Sequence, residues 1–326
     1  MKNLNRTKVK EIFKNFAGKK IAVIGDIMLD RYFWGSVTRV SPEAPVPVID
    51  LEHESFHLGG AANVASNLNS LGIKSVLCGI IGDDNSAEMF EQICKDKGID
   101  PSGLYRDSSR PTTVKTRIIG NNQQIVRLDR EVKDVIDSAG EKHILSTLKN
   151  NSDIESIIFG DYDKGAISTI LIKEVLKYAK SKNISVYVDP KFVNFFTYIG
   201  VTAFKPNKKE ASQALKIEIK TEADVKKAGA MLLEKLQCEN VLLTLGDKGM
   251  MLFEESGNIH HIDTKARLVS DVSGAGDTVI ATLAACKLGK ATMKEAATIA
   301  NIAAGYVCGE PGIVSVTKED ILSYLW

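Results

Sequence analysis

Asp271-Val272-Ser273-Gly274-Ala275-Gly276-Asp277-Thr278 joins a short polar turn to the apolar, alanine-rich stretch 279–288, which reads as a helix. Gly274 and Gly276 tolerate backbone angles closed to other residues, so successive N–H groups can converge without interference from a Cβ. Free amides and the helix dipole make such a helix start a site for phosphate. Asp277 does not fit simple anion binding, because a carboxylate repels phosphate. Its natural task is to accept the proton of a hydroxyl attacking a phosphoryl group held by the neighbouring amides. The same stretch is also compatible with an ordinary glycine turn carrying a first-turn helix acid, and the rest of the chain has to decide.

Working outward, the chain alternates apolar runs with helical patterns. Residues 20–26 form a brief continuous apolar run ending in Gly25-Asp26, as a buried parallel strand does, with Asp30 just beyond its tip. A carboxylate there can accept hydrogen bonds from two neighbouring sugar hydroxyls. Leu58-Gly59-Gly60-Ala61-Ala62-Asn63 is a glycine pair leading into a small-residue helix; the glycines would let a ligand approach backbone amides, and Asn63 can both donate to and accept from a hydroxyl. From residue 138 onward the α/β alternation is regular. Asp161-Tyr162-Asp163-Lys164-Gly165, Asp189-Pro190-Lys191, Lys205-Pro206-Asn207-Lys208-Lys209-Glu210 and Gly246-Asp247-Lys248-Gly249 stand at successive strand ends, where open parallel sheets bind ligands. Residues 31–58 and 104–130 differ: they are rich in β-formers, and Pro42, Pro45 and Pro47 exclude a central strand. They are expected to form a small β-layer, a lid over the crevice and a surface for homodimerisation.

The 326 residues suit one large α/β domain with an insertion or two moderate domains. A net charge of +1 leaves no electrostatic footprint for nucleic acid or an anionic membrane. Five scattered cysteines without a C-x-x-C pair point to buried thiols in a reducing compartment, and five histidines form no metal pattern. With no apolar signal segment or membrane-length run, a cytoplasmic protein is expected. A nicotinamide-dependent dehydrogenase is disfavoured, because Gly25-Asp26-Ile27-Met28-Leu29-Asp30 lacks the G-x-G-x-x-G of a dinucleotide fold.

Gly59-Gly60-Ala61-Ala62-Asn63, Lys205 to Glu210 and Asp271 to Asp277 together resemble the ribokinase-like, phosphofructokinase B-type carbohydrate kinases, and occur in that family's order. Gly25 to Tyr32, Ser41 to Val48 and Asn122-Gln123-Gln124 followed by Arg127-Leu128-Asp129 resemble more narrowly the bacterial D-glycero-β-D-manno-heptose 7-phosphate kinases of ADP-heptose synthesis, a route to lipopolysaccharide core precursors. The resemblance implies a three-layer α/β/α sandwich with a mostly parallel sheet and a small β-sheet lid, one kinase domain over 1–326, and no adenylyltransferase domain. It implies transfer of the ATP γ-phosphoryl group to the anomeric hydroxyl of the heptose phosphate. Asp277 would be the base, with the amides of Gly274, Ala275 and Gly276 stabilising the phosphoryl group. Asp30, Gly60 and Asn63 would meet sugar hydroxyls, and Arg127, Lys164 and Lys191 the phosphate that the sugar already carries. Asn207 and Glu210 would help place Mg²⁺ and the ATP phosphates, Glu210 through water. Thr244, Gly246 and Gly249 would border the nucleotide, with Asn301 and Ala304 near adenine and K⁺ near Asp271. Departures from the wider family are Val272 where many members carry threonine, and Lys205 where asparagine or threonine is common. A kinase for another sugar or sugar phosphate, such as fructose 6-phosphate or ribose, and a non-catalytic sugar-binding protein on this fold are the alternatives.

Overall fold

The run Lys-Ile-Ala-Val-Ile-Gly is strand β1 (Lys20–Gly25), and it lies inside the main sheet, paired in parallel with β4 (Lys74–Ile81) on one side and β8 (Ile154–Gly160) on the other. The computed structural model describes residues 4–264 and 270–325. Among these, β4 is followed outward by β5 (Asp100–Arg106), while β8 leads to β9 (Ser185–Asp189), β10 (Ala203–Phe204) and β11 (Asn240–Thr244), all parallel. An antiparallel hairpin, β12 (Met250–Glu254) and β13 (Ile259–Ile262), closes the far edge of this nine-stranded sheet. That hairpin is not anticipated by the sequence pattern.

Successive side chains of a strand point to opposite faces, and β1 shows the consequence. Ile21 and Val23 enter a core shared with α1 (Arg6–Phe16), α2 (Ala61–Ser70), α3 (Asn85–Asp96), α8 (Ala275–Leu288), α9 (Met293–Val307) and α10 (Lys318–Tyr324). Ala22 and Ile24 enter a second core with α4 (Ser138–Asn150), α5 (Thr169–Lys182), α6 (Lys208–Leu215) and α7 (Glu222–Leu236). Two helical layers therefore sandwich the sheet. Buried side chains such as Val9, Ile12, Phe13 and Phe16 of α1 each contribute about 1.5–3 kcal/mol by leaving water. The alanine-rich α8 is buried nearly all round, consistent with a helix lodged between α2, α9 and the sheet. Four of the five cysteines are buried free thiols and Cys308 is partly exposed. No helix is long and apolar enough to cross a membrane among the described residues.

The second sheet has the order β3-β2-β6-β7, from β2 (Ile27–Val40), β3 (Pro47–Gly60), β6 (Val114–Gly120) and β7 (Gln123–Arg130). Pro42 and Pro45 fall in the β2–β3 connection and Pro47 opens an edge strand, positions where a missing N–H costs no ladder bond. Asn121 and Asn122 link β6 to β7 with φ of 49° and 62°, the two positive angles that a tight hairpin turn requires. The lid is larger than expected at its first segment, starting at Ile27, and smaller at its second. Residues 104–106, expected to belong to it, pair with β4 in the main sheet instead. Leu104 is buried in the first core, which the periodicity of a short β-rich stretch cannot distinguish from lid packing.

Candidate active site

Helix α8 begins earlier than the apolar run suggests. Gly274 is its N-cap at φ 79°, so Ala275, Gly276 and Asp277 form its first turn. A Cβ at Gly274 would lie 2.7 Å from Asn63 Nδ2, so this position excludes a side chain on both conformation and space. The first i→i−4 bond runs from Thr278 N to Gly274 O. Of the amides ahead of it, Ala275 N–H already donates to Val272 O at 3.3 Å.

Asp277 is 8% exposed. Asn63 Nδ2 donates to its Oδ2 at 2.8 Å, and the Tyr162 hydroxyl donates to its Oδ1. Burial, then the charge of Asp189, pushes the Asp277 carboxyl up to about 6 against the opposing pull of Tyr162, Asn63 and Lys205. Burial and the Asp277 charge hold the Tyr162 phenol well above its ordinary value, so it is a donor at neutral pH. Asn67 Nδ2 donates to the Asn63 backbone oxygen at 2.9 Å and reaches the Asn63 side-chain Oδ1 at 3.4 Å, while its own Oδ1 accepts from Thr278 Oγ1 at 3.2 Å. The small residues of α2 let it approach α8 closely enough for this polar seam.

Tyr162 is delivered by the loop after β8, and Asp26 holds that loop. The buried Asp26 carboxylate accepts from the amides of Tyr162 at 2.8 Å, Lys164 at 3.1 Å and Ala166 at 2.8 Å. Burial nevertheless raises its pKa, as desolvation outweighs the three amides. Asp161, raised to about 6 chiefly by burial, anchors the other side of the loop through Tyr198 Oη at 2.7 Å.

Beneath the α8 start lies a buried ion pair, Lys205 Nζ to Asp189 Oδ2 at 2.9 Å. A Cβ on Gly276 would sit 3.4 Å from that ammonium, so Gly276 leaves the cation open to whatever binds the helix start. Lys191 pairs with Glu210, and its ammonium is 5.8 Å from the Tyr162 ring centroid. Glu210 and Asn207 form a capping box on α6: Asn207 Oδ1 accepts from Glu210 N, and Glu210 Oε2 from Asn207 N, both at 2.8 Å. Both Glu210 oxygens therefore have partners.

On one side of Gly276, a cavity of about 330 Å³ is lined by Thr244, Gly246, Gly249, Asn301 and Ala304, the five residues expected to border a nucleotide. Val272, Met250 and Val279 give it apolar walls suited to a flat base, and Asn301 Nδ2 is tied to Asp263 O at 2.7 Å. On β2 of the lid sheet, Asp30 is 2% exposed, and its carboxylate takes the Arg117 guanidinium and lies against Gly59. Gly60 caps α2 at φ 60°, with Ala61 N donating to Asp26 O. Lys164 pairs with Glu131 at 2.6 Å, and Arg127 forms a two-pronged pair with Asp129 at 2.9 and 3.0 Å.

Asp277, Asn63, Gly274 and Gly276 thus come together, and the nucleotide-side residues line one cavity. Lys191 keeps company with Glu210 and Tyr162 rather than with Arg127 and Lys164. Asn67, Tyr162, Asp189, Lys205 and Asp26 join the Asp277 network, and Arg117 pairs with Asp30, although the sequence assigns none of the six a role in the site. Tyr162, Asp189 and Lys205 stand at strand tips, so their position carried a signal, but nothing in the sequence says which tips meet.

The model of the pfkB family carbohydrate kinases matches residues 18–320. The chain is 39% identical over 323 residues to the bifunctional protein HldE of Geobacter sulfurreducens, covering 99% of this chain and 66% of that protein. It is 43% identical over 307 residues to HldE of Helicobacter hepaticus, covering 94% and 64%. It therefore spans somewhat under two thirds of the length of these relatives. In fold it is similar to phosphofructokinase-2 of Escherichia coli in complex with potassium, with TM-score 0.77, 15% identity and 94% and 98% of the two chains covered. It is likewise similar to Arabidopsis thaliana ribokinase complexed with ribose and ATP, with TM-score 0.74, 18% identity and 95% and 99% coverage. A match over nearly the whole chain, on a ribokinase-like sandwich with a separate four-stranded lid sheet, means that this chain belongs to the pfkB family of carbohydrate kinases.

Proposed function

We propose that the chain transfers the γ-phosphoryl group of ATP to the anomeric hydroxyl of D-glycero-β-D-manno-heptose 7-phosphate, giving the 1,7-bisphosphate, as one unit over its length. The observation that carries phosphoryl transfer is the position of Asp277. It is a buried carboxylate in the first turn of α8, next in sequence to Gly276 of the nucleotide-shaped cavity and hydrogen-bonded to Asn63 of α2. The choice of a heptose phosphate rests on the sequence resemblance and on the cations beside Asp30.

In this reading the anomeric hydroxyl sits against Asp277, and Asp30, Gly60 and Asn63 hold the other hydroxyls. Asp277 takes the proton as the sugar oxygen bonds to the γ-phosphorus and the bond to the β,γ-bridging oxygen breaks, leaving ADP. The amides of Gly274 and Gly276, with Lys205 behind them, meet charge on the moving phosphoryl group. Ala275 N–H contributes only if it leaves Val272 O. Lys191, beside Tyr162 and Glu210, is assigned to the phosphoryl side, and Lys164 and Arg127 to the sugar's own phosphate. Among the described residues no cluster of His, Cys, Asp and Glu could hold a metal ion, and both Glu210 oxygens are engaged. This donor set fits a Mg²⁺ carried in on the nucleotide phosphates and met by Glu210 through water. Such an ion offsets phosphate charge. K⁺ near Asp271 is proposed on the resemblance alone, and a homodimer through the lid on the apolar residues of its outer face.

The test is ADP release with Mg-ATP against heptose 7-phosphate, fructose 6-phosphate, ribose and fructose, with Asp277→Asn as control. Strong preference for the heptose phosphate, lost by roughly 10²–10⁴ in the variant, is the expected result. Turnover only with another sugar refutes the heptose assignment, and sugar binding without turnover refutes the kinase.

A further inference from the structure

Four cationic side chains share the side of the lid sheet that carries Asp30 or stand against it: Lys115, Arg117, Arg127 and Lys164. Their carboxylate partners are already distributed. Arg117 has Asp30, Arg127 holds Asp129 through both of its oxygens, and Lys164 has Glu131. Lys115 is the exception. Its backbone is in register with Asp30 on β2 and with Asp129 on β7, so it stands between two aspartates. Each of those carboxylates is nonetheless taken by a guanidinium, whose planar fork matches a carboxylate better than an ammonium does. The Lys115 ammonium makes no hydrogen bond or ion pair among the described residues.

A half-buried lysine without an ion pair of its own is costly. Burial, then the positive charge of Lys164, lowers the pKa of Lys115 against the opposing pull of the Asp30 and Asp129 charges, with Arg127 adding to the lowering. A dianion arriving between Lys115, Lys164 and Arg127 would remove both penalties at once. The three paired cations would each have to share or release a carboxylate to bind it; Lys115 would not.

From this we propose that Lys115 is the residue by which the enzyme selects a phosphorylated over an unphosphorylated sugar, its ammonium meeting the phosphate remote from the reacting hydroxyl. The proposal rests on the reading of the substrate as a sugar phosphate given above. Asp30 and Asp277 would then hold the sugar itself while Lys115 holds its charged tail, so that loss of Lys115 weakens binding without touching the proton transfer.

The experiment compares wild type, Lys115→Met and Lys115→Arg in the full chain with saturating Mg-ATP, using heptose 7-phosphate and unphosphorylated heptose. Lys115→Met should raise KM for the phosphate by roughly 10–100-fold with kcat little changed, the loss of one charge-assisted contact. Its kcat/KM for the unphosphorylated sugar should stay at the wild-type level, and Lys115→Arg should recover much of the discrimination. A wild-type KM in Lys115→Met, or an equal loss on both sugars, overturns the proposal. The substrate reading fails separately, in the wild-type protein. If wild type prefers fructose 6-phosphate the heptose assignment falls, and the same comparison run on fructose 6-phosphate and fructose decides Lys115. If wild type does not discriminate phosphorylated sugars at all, both fall.

Discussion

The Tyr162 hydroxyl donates a hydrogen bond to Asp277 Oδ1 across 115 residues of sequence, joining the loop after β8 to the first turn of α8. This bond opposes the burial that raises the Asp277 pKa to about 6. A base works only when ionised, so the acid limb of the rate profile follows that value. Tyr162→Phe removes a donor to the charged form and drives the pKa further up. The acid limb of kcat/KM should move to higher pH by roughly one unit, with the alkaline plateau largely retained. Rates of the two proteins between about pH 5 and pH 9 check this. An unmoved acid limb would mean that Tyr162 does not tune the base.

The same carboxylate should cost the protein stability. Its folded pKa lies above the ordinary 3.8, so its favourable contribution is complete below that value and is lost as pH rises through about 6. At pH 7 the ionised, buried Asp277 is therefore a liability of up to ~3 kcal/mol. Asp277→Asn should unfold at a higher temperature than wild type at pH 7–8 and lose that advantage toward pH 4, while activity collapses. Part of the gain is offset because the new amide has one oxygen where the carboxylate accepted from two donors, Asn63 Nδ2 and the Tyr162 hydroxyl. Calorimetry at several pH values decides it, and a variant less stable at every pH would contradict the account.

What was legible in the sequence was local. The Gly274–Asp277 turn and the Gly60–Asn63 helix start each owe their geometry to residues adjacent in the chain, so pattern alone exposes them. The alternation of Ile21 and Val23 with Ala22 and Ile24 likewise announces a strand buried on both faces. What could not be read is the set of contacts made by juxtaposed strand tips. Tyr162 with Asp277, Lys205 with Asp189, and Lys191 with Glu210 depend on which loops the strand order brings together. Lys191 stood at a strand tip as plausibly as Lys164 did, yet one turned to the capping box and the other to Glu131. The seam through Asn67 was hidden for another reason, since a buried asparagine in a helix looks from the sequence like an exposed one.

Glu210 has two duties that a substitution can separate. It caps α6 through Asn207 N and neutralises Lys191. Glu210→Gln keeps an acceptor for the cap but leaves Lys191 without its counter-charge. If Glu210 also orders the water around a nucleotide-borne Mg²⁺, the variant should raise KM for Mg-ATP about tenfold and need more Mg²⁺ for half-maximal rate, with sugar KM unchanged. A lower melting temperature with normal Mg-ATP kinetics would reduce Glu210 to a helix cap.

The outer face of the lid gives the last expectation. In the strand registers Phe33 lies beside Ile118, Ile118 beside Val126, and Thr116 beside Leu128, on the face opposite to Asp30 and Lys115. Val126 and Leu128 are 41% and 56% exposed, and Arg31 covers the Phe33 and Phe56 rings only in part. A two-fold axis would set this strip against itself, so that two added charges on each chain face the same two on its copy. Wild type should sediment at twice the chain mass at micromolar concentration, and Val126→Asp with Leu128→Asp should sediment as a monomer. Neither side chain packs in the monomer core, so the circular dichroism of the variant should match wild type. Its melting temperature should fall toward a concentration-independent value, because the stability contributed by association follows mass action. A wild type that sediments at the mass of one chain would exclude the dimer, whatever the variant does.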